Sequence, residues 1–89
     1  MLLFVKNSDV NIGQFIIPSF RLYDIWAVGC RININYDSGE LIEVEGTYQK
    51  KIETVSVVMD NEDAVNKVLR QFYKACNNKA GAFFFGENN

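Results

Sequence analysis

Arg31 to Gly46 read RININYDSGELIEVEG, and how this stretch folds back on itself decides the architecture of the chain. Ile32, Ile34 and Tyr36 alternate with Arg31, Asn33 and Asn35, the period of a strand with one wet face. Asp37-Ser38-Gly39 then carries turn chemistry. The spacing predicts a three-residue hairpin loop with Gly39 in the left-handed region. That register sets Ile34 opposite Ile42 and Ile32 opposite Val44 on the core side. Outside, Arg31 falls opposite Glu45 and Asn33 opposite Glu43. A slip of one residue would set Ile34 against Glu43 and reverse the faces.

Downstream of the hairpin, Thr54 to Met59 is rich in β-branched residues and predicts a partly buried strand. Residues 61–78 then sort cleanly at the helical period. Ala64, Val65, Val68, Leu69, Phe72, Tyr73, Ala75 and Cys76 take one side, and Asn66, Lys67, Arg70, Gln71, Lys74, Asn77 and Asn78 the other. Asp60 is the expected N-cap. The acids Glu62 and Asp63 at the start, with Lys74 and Lys79 towards the end, suit the helix dipole. Upstream, residues 2–6 predict a short strand and 7–11 the turn after it. Residues 11–29 have no clean period; one or two strands are expected there, with Pro18 at an edge or bend because it has no N–H for a ladder.

These elements predict a single α+β domain over residues 1–89. Its small antiparallel sheet, about four to five strands, is packed by one amphipathic helix at about 61–78. A short C-terminal strand is expected at 82–85, where Phe83-Phe84-Phe85 stands in a row. On a strand, Phe83 and Phe85 face one way and Phe84 the other. Burying all three fully is worth roughly 5–9 kcal/mol, comparable with the net stability of a small domain. One face is therefore expected to dock on the sheet. The other meets a second copy of the chain or a foreign partner. Self-association is a common way for so small a domain to gain stability, and a dimer is the favoured form.

Composition excludes more chemistry than it suggests. There is no histidine, so Ser-His-Asp and Cys-His catalysis and the commonest zinc ligand are absent. Cys30 and Cys76 alone build no structural zinc site, and without secretion signals they read as free buried thiols. No glycine-rich turn opens a helix for phosphate. The segment 60–68 lacks the glycine and distal glutamate of a calcium loop. Glu43 and Glu45 share a strand face, where glycosidase carboxylates face each other across a cleft. The chain is therefore read as non-enzymatic, with no cofactor and no catalytic or metal-binding residues. Residues 1–9 do not have the form of a signal peptide and no stretch has the length of a membrane span, so the cytoplasm is the expected address.

The net charge of −2 is unevenly spread. Residues 37–63 hold eight acids against Lys50 and Lys51, while residues 64–89 hold four cations against Glu87. Asp37, Glu40, Glu43 and Glu45 form an acidic face that is either the solvated side of a hairpin or an imitation of nucleic-acid phosphates. Lys67, Arg70 and Lys74 form a basic helix stripe, either solvated or touching phosphate. Three cations give little affinity at physiological salt, so direct nucleic-acid binding is disfavoured. Aromatic side chains are the favoured anchors of protein interfaces. Phe83, Phe84, Phe85, Tyr73 and Trp26 are the candidate partner-binding residues, in a group of aromatics that also includes Phe15, Phe20 and Tyr23.

The hairpin RININYDSGELIEVEGTY followed by an amphipathic helix resembles the short strand-strand-helix proteins of bacteria and their phages. The resemblance covers about half the chain and carries no functional residues with it. Ten asparagines and eight isoleucines against five alanines also suit an AT-rich genome of that kind. Phage proteins of this size often bind and inhibit host defence proteins, and the resemblance implies that role.

Overall fold

In the computed structural model, which describes residues 1–6 and 14–85, one helix and six strands form two small sheets. The strands are β1 (Leu2–Lys6), β2 (Gln14–Pro18), β3 (Leu22–Val28), β4 (Arg31–Val44), β5 (Thr47–Val58) and β6 (Ala82–Phe85), and the helix is α1 (Glu62–Asn77). A single 3-10 turn, Ser19–Arg21, joins β2 to β3. The first sheet has the order β2-β1-β6 and the second β3-β4-β5. The architecture is α+β, but the single antiparallel sheet expected from the sequence is replaced by two of three strands. One of them is mixed, because β6 runs parallel to β1. The predicted turn at 7–11 lies outside the described residues.

The decisive stretch does not turn at Asp37-Ser38-Gly39. β4 runs on to Val44, and the chain reverses at Glu45-Gly46, both at positive φ (52° and 80°), as a type I′ turn requires. Ile34 therefore pairs with Val55 and Ile32 with Val57, Asn33 with Ser56 and Arg31 with Val58. The long hairpin aligns eleven register pairs where the shorter one offered about six, so it gains more ladder bonds and cross-strand contacts. The turn chemistry at 37–39 is real but serves a bulge. Gly39 N–H donates to Asp37 Oδ1 at 2.9 Å, Glu40 N–H donates to Ser38 Oγ at 3.3 Å, and Gly39 has φ 86°. Residues 38–40 bulge opposite Lys51 alone. Two extra residues leave the alternation intact, so even-numbered positions of β4 keep the core-side face on both sides of the bulge.

One core joins both sheets and the helix. Leu3, Val5, Ile17 and Phe85 come from the first sheet, Ile32, Ile34, Val55 and Val57 from the second, and Val65, Val68 and Phe72 from α1. The helix buries a narrower stripe than its apolar arc, for Tyr73 and Cys76 are exposed. Pro18 closes β2, an edge strand, where its missing N–H costs no ladder bond. The N-cap is Asn61, not Asp60: its side-chain oxygen accepts from Ala64 N–H at 2.8 Å. Asn61→Ala is expected to cost about 1 kcal/mol, and Asp60→Ala less than about 0.5 kcal/mol. Urea denaturation of the two variants checks the assignment.

Beyond Tyr36, the residue paired with Leu22 at the start of β3, β4 among the described residues pairs with β5 alone. Residues 37–52 thus leave the body as a two-stranded arm, exposed throughout from Gly39 to Lys50. The molecule measures 44 × 28 × 23 Å, and its radius of gyration of 13.9 Å exceeds the ~12 Å of a compact chain this long.

Candidate interaction surfaces

The three phenylalanines separate by face. Phe85 is fully buried and Phe83 partly so, and both rings meet Phe72 of the helix, at centroid distances of 5.2 and 5.4 Å. Phe83 and Phe85 are core. Phe84 points outward, 45% exposed, and stacks on Phe4 with centroids 4.6 Å apart and planes 16° from parallel. Around this pair β1, β2 and β6 bring Leu2, Ile16 and Ala82 to the same outer face, all exposed, with half-buried Pro18 beside them. Phe4 and Ile16 were missed from sequence; the signal for Phe4 was Lys6, which on a strand shares its face and marks that face as the outer one.

Trp26 lies on the outer face of the second sheet, half exposed, beside a polar ladder. Asn33 and Ser56 are each only 6% exposed, and Ser56 Oγ donates to Asn33 Oδ1 at 2.8 Å. In the next row Asn35 donates to Asp24 and accepts from Thr54. Tyr73 is exposed on the helix, its ring 5.9 Å from that of Phe72. It does not join the Phe84 face. Lys67, Arg70 and Lys74 are exposed on α1.

The acidic residues are less uniform than a regular strand face. Glu43 stands on β4 opposite Tyr48, while Glu45 belongs to the turn. Asp37 is 3.8 Å from Lys50, and Lys51 bridges Glu40 at 3.4 Å and Glu53 at 3.2 Å. Hydrogen bonds from Lys51 to Glu53 and then Glu40 hold its ammonium above its ordinary range. The Tyr36 phenol, which donates to Glu53 at 3.1 Å, is also raised, first by burial and then by that carboxylate. A shallow cleft of about 280 Å³ lies where the arm leaves the body, bordered by Phe20, Arg21, Tyr23 and Ile52. Its cation Arg21 lies 5.8 Å over the Phe20 ring.

Cys30 and Cys76 are free, but Cys76 is exposed rather than buried. Among the described residues no three Cys, Asp or Glu side chains gather to hold a metal ion, and no helix is long and apolar enough to cross a membrane. Among the described residues fourteen large hydrophobic side chains stand exposed, more than the eleven that form the core. No protein-family model, curated protein or solved structure matches the chain.

Proposed function

We propose that the chain is a non-enzymatic protein-binding module that self-associates through the outer face around Phe84. The observation that carries this reading is the Phe4–Phe84 stack flanked by exposed Leu2 and Ile16 on the outer face of the first sheet. The resemblance to phage strand-strand-helix proteins adds the kind of foreign partner, a host protein held in the cytoplasm and inhibited by capture. Phosphate mimicry has less to stand on, because Asp37 and Glu40 are shared with lysines of the same arm.

The size of the face sets the strength to expect. Three strands about 4.8 Å apart and five residues rising about 3.3 Å each cover roughly 200 Å². A standard interface buries about 800 Å² on each partner. Self-association through this face alone is weak, so it shows as a mass that rises with concentration. Light scattering across a concentration series should show that rise for the natural chain. Phe84→Asp should stay monomeric throughout while keeping its far-UV circular dichroism, since Phe84 lies outside the buried core. A natural chain that is monomeric at every concentration sinks the self-association. Loss of fold in Phe84→Asp would make Phe84 core.

A further inference from the structure

We propose that the open edge of β4 from Leu41 to Val44 is a docking site for an extended segment of another protein, taken up as a third strand whose residues alternate between cationic and β-branched. This rests on the reading of the chain as a protein-binding module and names the partner's chemistry.

The arm is incomplete as it stands. Among the described residues β3 pairs with β4 only as far as Tyr36, and from Asp37 onward β5 is the sole paired strand, with Arg21 of the 3-10 turn lying against Gly39 short of Leu41. A two-stranded ribbon is marginal in water, and a third strand or a covering layer is what stabilises it. Yet the arm carries Leu41, Ile42, Val44, Tyr48 and Ile52, all exposed. Leu41 to Val44 includes no proline and no lysine, two of the devices that normally blunt an edge. Along this edge alternate N–H and C=O groups point away from β5 and offer a ladder to an incoming strand.

The side chains state what that strand carries. Ile42 and Val44 share one face with Thr47 and Gln49, while Glu43 shares the other with Tyr48. Residues directly across a ladder lie on the same face. An added strand therefore sets apolar side chains beside Ile42 and Val44 and meets Glu43 with every second residue. No cation reaches Glu43 or Glu45 among the described residues, whereas Lys50 and Lys51 are engaged within the arm. A cation on the incoming strand supplies the missing charge. A second copy is the poorer occupant, because antiparallel pairing of two β4 edges crowds Glu40, Glu43 and Glu45 of both copies, and like charges across a ladder destabilise it.

The test uses the full chain and three short synthetic peptides: alternating Lys and Val, the same peptide with alternate amides N-methylated, and alternating Glu and Val. Amide hydrogen exchange by NMR is the readout. The Lys/Val peptide should slow exchange at Leu41–Val44 on the order of tenfold, and the N-methylated peptide, with equal charge but no ladder, should not. Glu43→Lys should weaken the Lys/Val peptide on the order of fivefold and admit the Glu/Val one. Unchanged exchange at 41–44 overturns the proposal. So does equal protection by the N-methylated peptide, which would mean surface charge alone, or concentration-dependent protection without peptide, which would make a second copy the occupant. Self-association read by light scattering is separate. Its persistence without peptide capture removes this docking site alone, and loss of both removes the binding-module reading.

Discussion

Phe85→Ala lowers the unfolding free energy by about 3–5 kcal/mol, the range for a phenylalanine removed from a packed core, whereas Phe84→Ala, which gives up a stack and half a side chain's burial, costs about 1–2 kcal/mol. The two residues are chain neighbours of identical chemistry, so the difference isolates position. Phe85 has no exposed surface and closes an aromatic triangle with Phe72 and Phe83, whose centroids lie 4.8–5.4 Å apart. Its pocket is walled by a helix and a strand backbone, which collapse poorly, so most of the volume removed stays as a cavity. Phe84 loses a stack on a wet face, and water takes its place. Against a typical domain stability of 5–15 kcal/mol, the first change leaves a fraction of the protein unfolded at room temperature. Urea titrations of both variants measure the contrast. Equal losses at the two positions would mean that the outer face is already covered.

The second large effect concerns Asn33 and Ser56. Asn33→Ala is expected to cost about 1–3 kcal/mol, while the double change Asn33→Val with Ser56→Val is expected to be close to neutral. Both side chains are nearly withdrawn from water and bond to one another across β4 and β5. Truncating one leaves the other's polar group buried without a partner. Replacing both removes the problem and adds β-branched side chains suited to a strand. A double-mutant cycle from thermal or urea unfolding reads the coupling. Additive losses would show that water reaches the pair.

What could be read from the chain, and what could not, divides along physical lines. The helix was legible because its period is local, though the side-chain oxygen that caps it belongs to Asn61, one residue beyond the expected Asp60. The faces of β4 were legible because alternation survives any even insertion. Its partner was not: Asp37-Ser38-Gly39 has the same local chemistry in a bulge as in a hairpin loop, and only the competing ladder with Val55 and Val57 decides between them. The Phe84 site was half legible. Strand alternation separates Phe84 from its neighbours, but the stack on Phe4 depends on a parallel pairing that no local pattern announces. Tyr73 and Trp26 proved exposed but distant from that face in the fold, since composition counts aromatics without placing them.

The parallel ladder of β1 and β6 also governs how the molecule assembles in time. Leu2 pairs with Ala82, eighty positions along the chain, and closing a loop of that length costs roughly 4 kcal/mol of entropy before any contact repays it. The β3-β4-β5 meander and α1, whose contacts are local by comparison, can form first, while the groove that Phe85 fills stays open. Closure of that groove belongs on the native side of the folding barrier, so damage to β6 speeds unfolding far more than it slows folding. The residues synthesised near the end of this stretch act as the latch of the whole domain.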